Sequence, residues 1–212
     1  MKHLNDTNGA SAHTLRIAEK LLQEFPETLT GAEFGVAYGG GVEAIGKLWQ
    51  NRGIIYGFDT FEGHPEEIAE ICEITKQNGG KDSFAARCMD GWYQSSEYGL
   101  EAIKIDYIQN ELDKQGLDNV KLVKGLITDK TKLPFKQLHY CFIDLDYPLS
   151  QIHAYELVKN IIVKGGYLLM HDMIPKGHIA GNYEYYQQIV NEGLFEVVKE
   201  VHESYLVILK KK

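Results

Sequence analysis

The sequence predicts an α/β domain in which strands alternate with helices. Short apolar runs, each long enough for one buried strand, are separated by segments whose apolar residues recur at helical spacing. Glycines cluster directly after the first strand, and the next strand ends on an acidic residue. Two strand-like segments close the chain, as expected of an antiparallel pair. This alternation of strands and helices predicts the α/β class.

The first predicted helix follows a polar N-terminus. Residues 1–12 are polar and lack the apolar run of a secretory signal. Thr14–Phe25 carries apolar residues at helical spacing, and Pro26 ends the pattern. We therefore expect an amphipathic helix before the first strand.

The segment from Gly31 to Gly63 organises the rest of the chain. It predicts a strand, a glycine-rich turn, a helix and a second strand, at Ala32–Val36, Ala37–Gly41, Val42–Gln50 and Gly53–Phe58. The glycines let a ligand lie against bare backbone. Asp59 ends the second strand, where a carboxylate can bind the two hydroxyls of a ribose. This arrangement is typical of a nucleotide site.

The remaining elements continue the alternation. Strands are predicted at Val120–Val123, His139–Leu145, Tyr167–Met170, Phe195–Val201 and Ser204–Leu209. Helices are predicted at Pro65–Lys76, Ala102–Lys114, Leu149–Val163 and Asn182–Asn191, with a turn at Lys164–Gly166. The segment 64–99 is the exception, because much of it is rich in Gly, Ser, Tyr and Trp, and loops of this length are usually functional or disordered.

Charged side chains are predicted at the carboxyl ends of several strands. They are Glu33, Asp59, Asp144, Asp146, His171 and Asp172. Ligands of open α/β sheets bind outside these strand ends. Helix capping explains a single acid, and we favour it for Asp146, but it does not explain acids at three strand tips beside a glycine-rich turn. The sequence therefore predicts one ligand site at this edge.

Composition excludes several other classes of protein. The net charge of −8 comes without basic clusters, so no nucleic-acid partner is expected. No apolar run is long enough to cross a membrane, so no membrane partner is expected. The three widely spaced cysteines form neither a disulfide framework nor a CxxC metal site, which favours a cytoplasmic location.

Two motifs carry a family resemblance. The pattern E-x-G-x-x-x-G-G, from Glu33 to Gly40, resembles motif I of class I S-adenosylmethionine-dependent methyltransferases. The segment GFDTFEG, Gly57–Gly63, resembles the FDSFEG motif of the macrocin O-methyltransferase (TylF-like) family. The resemblance spans roughly Gly31 to Asp172. A dinucleotide site would instead need glycines at the spacing G-x-G-x-x-G.

The resemblance implies one domain, 1–212, with the doubly wound, mostly parallel, seven-stranded Rossmann-like methyltransferase sheet and an antiparallel last strand. Residues 1–28 would form a helical lid over the cofactor, or else a helix that covers the sheet edge. Residues 64–99 would be an insertion that shapes the acceptor pocket, or else an aromatic satellite core. Family members often dimerise, so the resemblance extends to a homodimer.

The resemblance also assigns the cofactor site. Glu33 would face the amino group of S-adenosylmethionine, Asp59 the ribose, and the turn after Lys124 the adenine. The full set implied for the cofactor is Glu33, Gly35, Ala37, Tyr38, Gly39, Asp59, Thr60, Phe61, Gly125, Leu126 and Ile127, and Thr128 or Asp129 would reach the adenine amino group.

The family's metal-dependent members hold a divalent cation with acids that match Asp144, His171 and Asp172. His171 departs from the pattern, because an acid is usual there. An imidazole suits Mn²⁺, Zn²⁺ or Fe²⁺ better than Mg²⁺. Two alternatives stay open: these residues bind Mg²⁺ or another divalent cation, or the site is metal-free and His171 accepts a proton. In either case the three residues are the predicted catalytic groups.

The sequence thus predicts an O-methyltransferase that acts on a hydroxyl of a small-molecule acceptor, of natural-product or sugar type. A relative of the cephalosporin hydroxylases and a non-catalytic module that binds S-adenosylmethionine are the alternatives. A dinucleotide oxidoreductase is disfavoured by the glycine spacing.

Overall fold

A computed structural model describes residues 10–63, 100–146, 148–174 and 182–212 of the chain. The described strands form one seven-stranded sheet in the order β3-β2-β1-β4-β5-β7-β6. The strands are β1 (Leu29–Phe34), β2 (Gly53–Asp59), β3 (Val120–Lys124), β4 (Leu138–Ile143), β5 (Ile162–Met170), β6 (Phe195–Val201) and β7 (Leu206–Lys211). Neighbours among β1 to β5 pair in parallel, whereas β7 is antiparallel to both β5 and β6. The predicted fold class is confirmed.

Helices cover both faces of the sheet. They are α1 (Ala10–Glu24), α2 (Gly40–Trp49), α3 (Ile105–Asp113), α4 (Pro148–Val158) and α5 (Asn182–Asn191), with short 3₁₀ helices at Leu100–Ile103 and His202–Ser204. Buried residues of α1, α2 and α3 share one core with the sheet, and those of α4 and α5 share a second core. None of the helices in the described ranges has the length and apolar character that crossing a membrane requires.

The first helix is an integral part of one core. Ile17, Ala18 and Leu21 are buried, and the indole Nε1 of Trp49 donates a hydrogen bond of 3.0 Å to the carbonyl of Ala18. The helix packs against α2, β4 and β5, so it covers interior strands and not an edge of the sheet. Its predicted role as a lid stays a prediction, and the predicted helix Pro65–Lys76 and the segment 64–99 lie outside the described residues.

Two predictions around β5 are wrong. The helix predicted at Leu149–Val163 ends at Val158, and β5 begins at Ile162, so the predicted turn Lys164–Gly166 lies inside the strand. The β-branched residues at 161–163 favour a strand. The pairing then shifts, from Leu138 with Ile162 to Tyr140 with Tyr167, and Gly165 adopts a φ of +83° within this irregularity.

The segment before β3 also differs from the prediction. The helix predicted at Ala102–Lys114 is divided into a 3₁₀ turn and α3, because Lys104 between them is extended, with φ −67° and ψ 139°. The last strand begins at Leu206 instead of Ser204, since the 3₁₀ turn His202–Ser204 precedes it. Neither change alters the order of the sheet.

Candidate functional site

The carboxyl ends of β1, β2, β4 and β5 lie side by side along one edge of the sheet, the edge where the parallel strands end. Among them, β1 lies between β2 and β4. The amide of Asp144 donates to the carbonyl of Phe34 at 2.8 Å, and the amide of His171 donates to that of Ile143 at 3.0 Å. The backbone at the end of each strand is therefore tied to its neighbour. The strand order reverses at β1, which is where doubly wound sheets open a ligand crevice.

Asp59 holds the glycine-rich turn in place. Its Oδ2 accepts hydrogen bonds from the amides of Val36 at 2.8 Å and Ala37 at 3.1 Å, and its Oδ1 accepts one from the amide of Phe61 at 2.8 Å. A carboxylate offers about four acceptor positions. The three amides use three of them, and the hydroxyl of Thr60 lies 3.3 Å from Oδ1, so few positions remain free and the predicted contact with a ribose stays a prediction.

Glycine is required at two positions of this turn. Gly35 has a φ of +94°, and a β-carbon there would lie 2.8 Å from the carbonyl carbon of Asp144. Gly39 has a φ of +81°, and its β-carbon would lie 2.7 Å from Cγ2 of Ile108. The turn thus packs backbone against the end of β4 on one side and against α3 on the other.

Glu33 is a buried acid beside the turn. Only 4 % of its surface is exposed, and its Oε2 has no hydrogen-bond partner among the described residues. Burial, together with the carboxylates of Asp144 and Asp59, raises the pKa of Glu33 to about 8. An unpaired carboxyl group in such a place is unfavourable unless a cation joins it. The residues present therefore suit a ligand that carries an ammonium group.

The amino-terminal half of α1 approaches Tyr140, which lies near the carboxyl of Glu33. Thr14 lies near the hydroxyl of this fully buried tyrosine, which makes no hydrogen bond among the described residues. Burial and the nearby carboxyl of Glu33 raise the pKa of Tyr140 well above its ordinary value. Thr14 itself is buried. The sequence did not indicate a role for either residue, because neither stands at a strand tip or in a recognisable motif.

A second group of charged residues follows β4 and β5. The imidazole Nδ1 of His171 lies 3.0 Å from Oδ1 of Asp144 and 3.3 Å from Oδ2 of Asp172. One potential ligand atom from each of the three residues lies within 4.8 Å of the others. Asp172 is buried, and its Oδ1 has no partner within the described ranges. The three predicted catalytic residues are therefore close enough to share one cation or one proton.

The two acids control the charge of His171. Burial by itself would lower the pKa of the imidazole, but the carboxylates of Asp144 and Asp172 outweigh it and raise the pKa to about 11. With this raised pKa, the imidazole of the metal-free site is protonated at neutral pH. This disfavours His171 as a proton acceptor in a metal-free site, because its ring already carries both protons.

Asp146 belongs to the same charged group. It lies two residues before Pro148, where α4 begins, and its predicted role as the N-cap stays a prediction. Burial, with the charges of Asp144 and Asp172, raises the pKa of Asp146 well above its ordinary value. Asp146 was predicted beside Asp144 at the end of β4, but without a metal-binding or catalytic role.

Backbone strain is concentrated at this edge. The described non-glycine residues with positive φ are Ala37, Phe61, Asp146, Asp172 and Tyr205. The first four follow the carboxyl ends of β1, β2, β4 and β5, and the carbonyl of Tyr205 accepts a 3.3 Å hydrogen bond from Met173 beside them. Such conformations cost about 1–3 kcal/mol each and cluster at functional sites.

The residues predicted to contact the adenine differ in their exposure. The amide of Gly125 donates to the carbonyl of Asp59 at 2.9 Å, which places the end of β3 beside the end of β2. Leu126 is exposed, whereas the side chain of Ile127 is buried in the core on the α4 side. The hydroxyl of Thr60 bonds to the carbonyl of Gly63 at 2.6 Å. Leu126 is therefore the side chain of this segment that a ligand could contact.

Comparisons with solved structures identify the same fold in methyltransferases. The O-methyltransferase NovP superposes with a TM-score of 0.68 at 15 % identity, over 95 % of this chain and 79 % of NovP. CalS11, a calicheamicin methyltransferase, gives 0.62 at 16 %, over 98 % and 82 %. An S-adenosylmethionine-dependent methyltransferase from Aquifex aeolicus gives 0.52 at 18 %, over 98 % and 95 %.

Similarity at these identities establishes the Rossmann-like methyltransferase fold. It does not establish the activity. Neither a protein-family model nor the sequence of a curated protein matches the chain. Membership of the TylF-like family therefore stays a prediction.

Proposed function

We propose that this protein transfers a methyl group from S-adenosylmethionine to a hydroxyl of a small molecule. The proposal rests on Glu33, a buried acid beside the glycine-rich turn. One of its carboxyl oxygens is unpaired and needs a cationic partner. The fold supports it, since solved O-methyltransferases share the fold, and CalS11 is described as acting on TDP-rhamnose. The acceptor of this chain is proposed to be a natural-product or sugar hydroxyl.

Each part of the edge has a role in this proposal. Glu33 would bind the amino group of the methyl donor, and Asp59 would bind the ribose while it holds the turn. The backbone of Gly35, Ala37, Tyr38 and Gly39 would lie against the donor. Thr60, Phe61, Gly125, Leu126 and Ile127 would border its adenosine. When bound, the donor supplies an electrophilic methyl group on a sulfonium.

The charged group after β4 and β5 would prepare the acceptor. A hydroxyl must lose its proton as it attacks, and a carboxylate within hydrogen-bond reach can take that proton. We assign this role to Asp144, because its partner His171 already carries a proton in the free site and Asp172 is buried. His171 and Asp172 would hold Asp144 and exclude water from it.

The same residues suit a divalent cation. Asp144, His171 and Asp172 would be its protein ligands, and a cation there would lower the pKa of an acceptor hydroxyl. One imidazole among carboxylates favours Mn²⁺, Zn²⁺ or Fe²⁺ over Mg²⁺. The homodimer and the cytoplasmic location stay predictions.

Calorimetry with separate ligands tests the class of protein. We expect S-adenosylmethionine and S-adenosylhomocysteine to bind and NAD⁺ not to bind. Binding of NAD⁺ alone would overturn the proposal. A panel of small-molecule alcohols, followed by mass spectrometry, then separates an enzyme from a non-catalytic module, because only an enzyme adds a methyl group and releases S-adenosylhomocysteine.

A further inference from the structure

Two buried amides connect the segments that carry the charged residues. The side chain of Gln151, in the first turn of α4, donates from Nε2 to the carbonyl of His171 at 3.1 Å. The side chain of Asn182, the first residue of α5, donates from Nδ2 to the carbonyl of Asp146 at 3.3 Å. Both residues are fully buried. Each amide holds a backbone carbonyl beyond the regular strand pairing.

The connections are crossed. Helix α4 follows β4 in the chain, but Gln151 binds the segment after β5; helix α5 follows β5, but Asn182 binds the segment after β4. Neither hydrogen bond therefore closes a local turn. Together they join the two segments whose side chains form the charged group, so movement of one segment changes the other.

The segments that they hold are strained. Asp146 has a φ of 61° and Asp172 a φ of 59°, and residues in this conformation persist only where the surroundings fix them. The regular ladder reaches only Asp144 and His171, through their amides. The amides of Gln151 and Asn182 act just beyond that point, where the backbone leaves the sheet.

We infer that Gln151 and Asn182 are positioning residues that fix the separation between Asp144 and the His171–Asp172 pair. The inference rests on the proposed function of that group as a site for a cation or a proton. A site of this kind tolerates only about 0.5 Å of displacement. Without the amides, the two segments are free to relax apart and the ligand atoms no longer converge.

Metal binding by variants tests the inference. Gln151→Met and Asn182→Leu remove the donors at similar volume, and loss of such outer partners typically weakens metal binding about 10–100-fold. We expect this loss for Mn²⁺, measured as free Mn²⁺ by electron paramagnetic resonance. We also expect the double variant to depart from the product of the single effects, because the two contacts join the same pair of segments.

Asn119→Leu is the matched control. Its amide also bridges backbone carbonyls, those of Gly46 and Gly53 at 2.9 and 3.1 Å, but at the other end of the sheet. We expect it to lower stability without changing the affinity for Mn²⁺. We expect all of these variants to bind S-adenosylmethionine as tightly as the wild-type protein does. If the wild-type protein itself does not bind S-adenosylmethionine, the proposed function has failed, and that result is distinct from failure of the positioning role.

Crystal structures of the variants decide the case if the wild-type protein binds no Mn²⁺. The distance from His171 Nδ1 to Asp144 Oδ1 is 3.0 Å. An increase of more than about 0.5 Å in either variant supports the inference. An unchanged distance, or unchanged Mn²⁺ affinity where the metal binds, overturns it. Gln151→Ala and Asn182→Ala, which also remove the donor, replace any variant that does not fold.

Discussion

The carboxyl group of Glu33 occupies the space that a side chain at position 41 would need. A β-carbon on Gly41 would lie 2.8 Å from Cδ of Glu33 and would collide with the carboxyl oxygens. The first turn of α2 therefore approaches the acid closely because residue 41 has no side chain. This contact joins the glycine-rich turn to Glu33 inside β1.

Gly41→Ala is expected to destabilise the protein, because Glu33 cannot move away without disturbing the core. Overpacking of this kind costs about 1–3 kcal/mol. Gly40→Ala is the matched control, since a β-carbon at Gly40 meets nothing within 4 Å, and alanine favours a helix over glycine by about 1 kcal/mol. Urea denaturation should rank the three proteins Gly40→Ala, wild type, Gly41→Ala; equal stability of the two variants would contradict the contact.

Glu33→Gln is expected to stabilise the ligand-free protein at alkaline pH. The pKa of Glu33 rises from 4.5 to about 8 on folding, so below pH 4.5 the carboxyl is protonated in both states. Between pH 4.5 and 8 the unfolded chain loses the proton first, so the free energy of unfolding falls as pH rises. Above pH 8 the cost is constant. Glutamine avoids it, which should add roughly 2–4 kcal/mol at pH 8.

The same substitution should weaken binding of S-adenosylmethionine, because the charge that the ammonium group needs is lost. Stability and affinity then change in opposite directions, which a merely structural role for Glu33 would not produce. Glu62→Gln, at an exposed acid, is the control for both measurements. A wild-type stability that does not fall between pH 5 and 8, relative to Glu33→Gln, would refute the buried-acid interpretation.

Asp59→Ala should lower both stability and cofactor affinity. The amides of Val36, Ala37 and Phe61 lose their acceptor, and unpaired donors cost about 1–3 kcal/mol. We expect a loss of this size in the free energy of unfolding and a comparable loss in binding of S-adenosylmethionine. Unchanged stability would mean that Asp59 does not hold the turn, and an unchanged dissociation constant would contradict its role at the ribose.

Addition of Mn²⁺ should raise the melting temperature of the wild-type protein. A ligand at 100 times its dissociation constant stabilises the folded state by about 2.7 kcal/mol. Asp172→Asn should abolish the shift, since Asp172 is one of the three residues that converge on the site. Excess chelator should reverse the shift in the wild type. The same shift in Asp172→Asn would exclude this group as the metal site.

Local patterns predicted most of the fold. The apolar runs of β1, β2 and β4 and the glycine-rich turn are evident in the sequence because each element needs only its own residues to be recognised. The start of β5 is not evident, because its irregular pairing with β4 depends on which residue of the neighbouring strand it meets. Glycines at 165 and 166 indicate a turn in isolation.

The site was predictable only as far as charged residues mark strand tips. Glu33, Asp59, Asp144, His171 and Asp172 stand at recognisable positions, and the structure brings them to one edge. Gln151 and Asn182 are ordinary residues of predicted helices, and their partners are 20 and 36 residues away in the chain. The backbone hydrogen bonds that Asp59 accepts were likewise not predictable, because their donors come from two different turns.

A crystal structure with S-adenosylhomocysteine is the most direct test of the central claim, that Glu33 and the glycine-rich turn bind the methyl donor. We predict that the ligand's amino group lies within about 3.5 Å of a Glu33 carboxyl oxygen or one water away from it. Its ribose should contact Asp59. A ligand bound elsewhere, or a Glu33 that stays enclosed by protein alone while the ligand is bound, would contradict the claim.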